Sequence, residues 1–329
     1  MKGKKKISII GAGTIGTALG NILSENSSGE ILLVSVEEKV VGSINEQHIN
    51  AKYFPGHHLH ADLKATTDVS RLEGSSVIFL AIPSVAMLDY MESIRANIPP
   101  DSILVNLAKG FGRGENTIVD CLKKGFSNPV CTLKGPSFAK EIINRIPTGF
   151  TLGHPGAVTA DEVSVLFKGS TIYLDFTDDI HGVELLSILK NIYAIVLGIV
   201  DAQFNSPNLR FLILTRAFRE MMNIMLYFGG KEETIYKYCG YGDFTLTALN
   251  DLSRNRTLGL LIGKGFFTEH VSHELVLEGK TAASIFYEKI ARETGVEQRF
   301  PIMSELYKIF TRKYDISRFV STVLEMEEP

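Results

Sequence analysis

The chain carries no excess of either charge: 34 Lys and Arg stand against 37 Asp and Glu, a formal net charge of −3. A nucleic-acid surface needs a basic stripe, so no nucleic-acid partner is expected. The one basic run, Lys2, Lys4, Lys5 and Lys6, abuts an apolar segment and reads as a solvated tail. Cysteine is scarce. Cys121, Cys131 and Cys239 are odd in number and lack metal-ligand spacing, which points to a reducing compartment. His57, His58 and His60 have no carboxylate or cysteine completing a ligand pattern, so they read as a polar loop and no metal is expected. There is no signal-peptide pattern, because the apolar stretch 7–10 breaks at once into glycines. No apolar run is read as reaching the roughly 18 residues that a membrane span needs. Internal repeats and low-complexity linkers are also missing. These absences leave a cytoplasmic globular protein with no membrane span.

At 329 residues the chain exceeds the usual size of one core. Its first half alternates short β-rich runs (7–10, 31–36, 77–82, 103–107, 130–133, 149–152, 171–175) with helical patterns (14–25, 85–96, 115–123, 138–144, 157–167). Most of the β-rich runs are continuously apolar, as in strands covered on both faces of a parallel sheet. From about Asp179 the strands stop, and long helical stretches follow at 180–200, 208–228, 281–294 and 301–310. The expectation is an α/β chain, with a doubly wound sheet domain over residues 1–179 and an all-α C-terminal domain over 180–329. The cleft between two such domains is the natural place for chemistry.

The first strand runs directly into Gly11-Ala12-Gly13-Thr14-Ile15-Gly16, and a helix follows. Gly11 permits the tight turn, Gly13 the approach of a pyrophosphate and Gly16 close packing of helix on sheet. The N-terminus of that helix offers N–H groups to the phosphates. Alone, a GxGxxG is weak. Here it sits between strand and helix, and Glu37 ends the second strand about 20 residues further on, as a ribose-binding acid should. The first domain is therefore read as Rossmann-like, binding NAD. Glu37 would repel the 2′-phosphate of NADP, but the neighbouring Lys39 leaves NADP possible.

Lys190 is the sole charge in the apolar run 185–200. A buried ammonium is costly without compensation, so it should face a cleft, a carboxylate or a ligand; the alternative is a side chain that snorkels to solvent. Lys109 follows the 103–107 strand at the sheet edge where ligands bind, and Ser137 of Gly135-Pro136-Ser137 stands where it can cap the next helix. Both also suit a surface loop and a plain helix start. Asp243 follows Gly240-Tyr241-Gly242 and can cap a short helix carrying Thr247, which runs out into Ser253-Arg254-Asn255-Arg256. A fork donor beside a hydroxyl and an amide suits a phosphate or carboxylate; a capped helix ending in a solvated basic turn is the other reading.

Taken in order, these segments resemble the NAD(P)-dependent glycerol-3-phosphate dehydrogenases, bacterial type. The matching pieces are the 11–16 loop, Ile82-Pro83-Ser84, Lys109-Gly110, Gly135-Pro136-Ser137-Phe138-Ala139-Lys140-Glu141, Leu189-Lys190-Asn191-Ile192-Tyr193-Ala194-Ile195, Leu214-Thr215-Arg216, Gly242-Asp243, Ser253-Arg254-Asn255-Arg256, Glu278-Gly279 and Pro301-Ile302. They cover residues 7–311 in the family's order and spacing. The resemblance implies reversible reduction of dihydroxyacetone phosphate to sn-glycerol 3-phosphate, for phospholipid synthesis, by what is often a homodimer. It makes Lys190 the proton acceptor in the oxidative direction, with Lys109 and Asp243 assisting. It puts Lys109, Gly135, Ser137, Lys190, Asp243, Ser253, Arg254 and Asn255 on the substrate, with Thr247 a further candidate. The cofactor would meet Gly11, Gly13, Thr14, Ile15, Gly16, Glu37, Lys109, Ala139, Arg254, Val276 and Glu278.

Three stretches depart from the family pattern. Residues 202–208 replace a glycine-rich stretch, Asn106-Leu107-Ala108 replaces small polar residues, and Lys134 stands where a small or amide residue is common. These bear on the shape of the substrate pocket more than on hydride transfer. Rival readings are a related reductase of a 3-hydroxy acid, an opine-type substrate or a keto-acid, with Arg254 gripping a carboxylate, or a nucleotide sensor without turnover. Lys190, Asp243 and Arg254 standing together argue against the sensor.

Overall fold

Strands, most of them apolar runs buried on both faces, pair into a single sheet of β1 (Lys6–Ile10), β2 (Glu30–Val34), β3 (Lys64–Thr66), β4 (Ser75–Leu80), β5 (Ile103–Asn106), β6 (Val130–Lys134), β7 (Thr148–Gly153) and β8 (Ile172–Thr177). The computed structural model describes residues 5–26, 29–266, 273–292 and 299–325, and for 273–280 the backbone alone. The strand order is β3-β2-β1-β4-β5-β6-β7-β8. Neighbours are parallel except β7, which runs antiparallel to β6. The chain order reverses at β1, between β2 and β4, and sheets of this kind bind ligands at the carboxyl ends of their strands at such a point.

Alternation explains why the strands read as unbroken apolar runs. Ile7, Ile9, Leu33, Val77, Phe79 and Val105 enter one apolar cluster, with Leu19 and Ile22 of α1 (Thr14–Asn26). Ile10, Leu32, Ile78, Leu80 and Leu104 enter the opposite one, with Met87 and Met91 of α3 (Ser84–Ser93) and Leu122 of α4 (Ile118–Gly125). The remaining helices of this half are α2 (Glu38–Gln47), α5 (Ala139–Ile143) and α6 (Ala157–Ser164).

Several boundaries move from their expected places. β2 stops at Val34, because Val36 is already 75% exposed. The 85–96 pattern breaks into α3 and a 3₁₀ turn at Arg95–Asn97. α4 starts later than residue 115, where the Thr117 hydroxyl and the Asp120 carboxylate exchange bonds with each other's backbone N–H in a capping box. β3 has three residues and α2 is largely polar, so neither stood out by periodicity.

By compactness the chain divides into two units, Met1–Glu184 and Leu185–Pro329. The first turns of α7 (Ile180–Gln203) belong to the sheet unit: His181 is 3.4 Å from Asp120, and Glu184 is 3.0 Å from Lys134. The second unit contains α8 (Pro207–Tyr227), α9 (Asp243–Leu249), α10 (Arg254–Gly263), α11 (His273–Ile290) and the helices Pro301–Thr311 and Phe319–Glu325. α11 begins before the expected 281; residues 293–294 of that expectation lie outside the described residues.

α7 corrects the view that no run is long and apolar enough to span a membrane. By length and composition it is, with a mean hydropathy of 1.9, but 94% of its most apolar window is buried inside the protein. The polar interruptions at Ser187, Lys190 and Asn191 had hidden its length.

Candidate active site

The glycine loop has the geometry that a dinucleotide needs. Gly11 adopts φ +110°, and a Cβ there would lie 2.6 Å from the Ala81 carbonyl oxygen; a Cβ on Gly16 would lie 2.0 Å from that of Gly11. Both positions exclude any side chain. At Gly13 a Cβ would meet nothing within 4 Å, so the backbone at the start of α1 is open to a phosphate, with Thr14 exposed and Ile15 half-buried beside it. The residues present fit NAD(P).

The segment after α2 is tied to this loop. Asn50, fully buried, donates to the Ala12 carbonyl at 2.9 Å and to the Thr17 hydroxyl at 2.8 Å, and accepts from Tyr53 N at 3.2 Å. Lys52 and Tyr53 are thereby brought to Glu37, which occupies the N-cap position of α2 beyond the end of β2. The Lys52 ammonium pairs with one Glu37 oxygen, and the Tyr53 hydroxyl donates to the other at 2.9 Å. Lys52 first, then Tyr53, hold the Glu37 carboxyl below its ordinary range. Neither partner was marked by the sequence.

A second group gathers at the carboxyl ends of β5 and β6. Lys109 Nζ lies 3.4 Å from the Gly135 carbonyl oxygen, which also accepts from Ser137 Oγ at 2.9 Å. The structure thus brings Lys109, Gly135 and Ser137 together. Ser137 does not cap α5: Phe138 holds the N-cap position without a side-chain bond, and the serine bonds back along its own loop. Ala139 and Ile15 both pack against the same apolar cluster.

Behind the Lys109 loop, Lys134 is wholly buried. Its ammonium is 3.0 Å from Glu184 Oε1 and donates to the Asn106 carbonyl at 3.0 Å. Asn106 in turn donates to both Glu184 oxygens and accepts from Ala108 N at 3.0 Å, while Thr132 donates to Glu184. Two of the departures, 106–108 and Lys134, are therefore one network that fixes the backbone leading to Lys109.

In the helical unit Lys190 is 4% exposed, so it does not snorkel. Its ammonium lies 2.5 Å from Asp243 Oδ1 and 2.9 Å from Thr247 Oγ1. Asp243 is the first residue of α9 and follows a π-helical turn, Tyr238–Gly242; its carboxylate is directed at Lys190 and makes no cap. Placing Thr247 one turn after Asp243 puts both oxygens on one helix face, which is the face that α7 meets.

The polar stretch after α9 is the start of α10 and not a trailing basic turn. Ser253 caps it, accepting from Arg256 N at 3.3 Å. Arg254 is exposed at the first position and Asn255 half-buried at the second, beside the N–H groups of a ten-residue helix. Arg256, by contrast, is buried: it binds Asp201 at 2.5 Å, and Asp201 also binds Arg210 at 2.6 Å. In place of a glycine-rich stretch, 202–208 gives the end of α7, then Ser206 as cap and Pro207 as first residue of α8. Val276 and Glu278 lie in α11, where side chains fall outside the described residues.

One buried polar site went unread in the sequence. Glu220 accepts from the Tyr193 hydroxyl (2.7 Å) and from Ile302 N (2.9 Å) and Met303 N (2.7 Å), holding the start of Pro301–Thr311. Burial pushes its carboxyl up to about 7 against the pull of those three donors. Glu220 lies on the buried face of α8 with Ala217, Met221 and Ile224, so a lone glutamate in that apolar stripe was the one signal available.

Comparison with known proteins bears on both units. The family model for the NAD-dependent glycerol-3-phosphate dehydrogenase N-terminus matches residues 6–159, and that for the C-terminus matches residues 179–321. A glycerol-3-phosphate dehydrogenase (NAD(P)+) of Clostridium botulinum is 33% identical over 314 residues, covering 94% of each chain. One from Methanothermobacter thermautotrophicus is 33% identical over 317 residues, covering 95% of this chain and 96% of the relative. The crystal structure of glycerol-3-phosphate dehydrogenase from Coxiella burnetii superposes with a TM-score of 0.87 at 28% identity, covering 98% of this chain and 99% of that one.

Proposed function

Since the chain belongs to the NAD-dependent glycerol-3-phosphate dehydrogenase family, we propose that it interconverts dihydroxyacetone phosphate and sn-glycerol 3-phosphate with NAD or NADP. The observation that carries the reading is the buried Lys190 held by Asp243 and Thr247. Held by the 11–16 loop, a nicotinamide cofactor would supply or accept the hydride at the central carbon of the substrate. In reduction, Lys190 as ammonium polarises the carbonyl and delivers its proton to the central oxygen; in oxidation, the neutral amine takes that proton back. Asp243 and Thr247 keep Nζ oriented through both directions.

Arg254 and Asn255, at the start of α10, bind the phosphate and so orient the carbonyl with binding energy remote from the reacting atoms. Lys109, Gly135, Ser137 and Ser253 complete the substrate contacts. The 11–16 loop, Glu37 and Ala139 hold the cofactor, with Val276 and Glu278 taking part. NAD is preferred modestly over NADP, through Glu37.

The product feeds phospholipid synthesis in the cytoplasm, in keeping with three free cysteines. The active species is a homodimer, for which exposed Phe204, Phe211 and Leu212 offer apolar surface; a monomeric mass in sedimentation would refute this. The function itself is tested by following NADH oxidation with dihydroxyacetone phosphate and with a panel of keto-acids. Turnover of the phosphorylated ketone far above the panel is expected, whereas a keto-acid turned over faster would overturn the reading.

A further inference from the structure

The Glu37 carboxylate stands where a Rossmann-type unit meets the adenosine ribose of its cofactor, yet both its oxygens already have donors, Lys52 and Tyr53. This arrangement is built, not incidental. Lys52 and Tyr53 follow Asn50, whose buried amide is bonded to the Ala12 carbonyl inside the phosphate loop, and the Phe54 N–H bonds to Asn50 O at 2.8 Å. The Lys52 ammonium also lies 5.0 Å from the Tyr53 ring centroid. A fixed turn therefore presents one ammonium within a hydrogen bond of the carboxylate that receives the ribose hydroxyls.

The consequence is electrostatic. A lone carboxylate at this place repels a 2′-phosphate, and a lone ammonium attracts one; side by side they nearly cancel. We propose that Lys52 is a cofactor-selecting residue: its ammonium receives the 2′-phosphate of NADP, while Glu37 receives the ribose hydroxyls of NAD. The pair admits both cofactors, and either partner removed exposes the preference of the other. Lys52 is more than half exposed, so the ammonium is free to turn from Glu37 to a phosphate without breaking any core contact. Arginine at 52 keeps the charge and the selection. This inference rests on the NAD(P) reading of the glycine loop.

The test is titration of the ligand-free protein with NADH and with NADPH, read by nicotinamide fluorescence, for wild type, Lys52→Met, Lys52→Arg and Glu37→Gln. The quantity compared is the ratio of Kd for NADPH to Kd for NADH. Lys52→Met should raise it at least about tenfold and Glu37→Gln should lower it by a similar factor, with Lys52→Arg close to wild type. A parallel competition between adenosine 2′,5′-bisphosphate and adenosine 5′-monophosphate should shift in the same sense. If wild type binds both cofactors and Lys52→Met leaves the ratio within about twofold, Lys52 takes no part in selection and the proposal is overturned. If wild type binds neither, the NAD(P) reading fails and the proposal falls with it.

Discussion

A buried ammonium persists only where charge and hydrogen bonds reach it, and the two among the described residues meet that condition in different ways. Lys134 has Glu184 and a carbonyl, and lies deep in the sheet unit. Lys190 has Asp243 and a threonine hydroxyl, and lies on α7 in the helical unit. Arg254 is the opposite case: exposed, at a helix N-terminus, with a fork geometry that a phosphate matches. Truncation of Arg254 to alanine should cost roughly 3 kcal/mol of transition-state binding, and lysine should rescue it poorly, since a point charge does not reproduce the fork. Steady-state kcat/KM on dihydroxyacetone phosphate measures this, with unphosphorylated dihydroxyacetone as control. Wild type and variant should handle the control equally badly. A near-normal kcat/KM for the phosphorylated ketone would reduce Arg254 to a helix-end residue.

Glu220 supplies a stability prediction of definite sign. Its carboxyl lies at about 7 in the fold against an ordinary 4.5, so folding favours the protonated form. The contribution is complete below 4.5 and is lost as the pH rises through about 7. Thermal unfolding followed across that window should show wild type losing Tm relative to Glu220→Gln, which has no proton to lose. Parallel curves for the two proteins would mean that Glu220 does not titrate there.

At the scale of elements, the site depends on how closely α7 and α10 approach. A Cβ on Gly198 would lie 2.2 Å from the Arg256 carbonyl oxygen, and one on Gly259 2.0 Å from that of Ile195, so the two helices meet backbone to backbone. Gly198→Ala should force them apart, costing about 1–3 kcal/mol in denaturant unfolding. It should also raise KM for the ketone more than Kd for NADH, because α10 carries Arg254 while the glycine loop is in the other unit. Unchanged stability would show that the helices separate freely.

This contact also marks where sequence reading stops. Most strands of the sheet and helices α1, α7 and α8 were legible, because burial on two faces or along a long helix leaves an apolar record. The helix α10 was not: its start, Ser253-Arg254-Asn255-Arg256, is polar, and the glycines that seat it against α7 look like gaps in a helical pattern. β3 and α2 failed for the same reason, being too short or too polar to show a period.

For the whole molecule, the α/β sheet unit followed by a helical unit came through from the alternation of patterns and their end near Asp179, and the fold agrees. The first turns of α7 go with the sheet unit through Lys134–Glu184 and Asp120–His181, pairs more than forty residues apart in sequence that no local pattern links. The polar side chains divide likewise. Lys190 stood out as a lone charge among apolar neighbours, and Asp243 with Thr247 as a polar pair on one helix face. Lys52, Tyr53 and Asp201 were silent, since their roles come only from what the fold sets beside them.

The claim that Lys190 is the acid–base group of the enzyme has one direct measurement. Lys190→Ala is assayed for kcat with dihydroxyacetone phosphate and, in the same preparation, for NADH binding; the chain has no tryptophan, so the nicotinamide signal is read without interference from indole. kcat should fall by at least about 10²–10⁴-fold while NADH affinity holds, with no recovery in Lys190→Arg, since a guanidinium does not release its proton in this pH range. Turnover near that of wild type, with NADH still bound, would contradict the account.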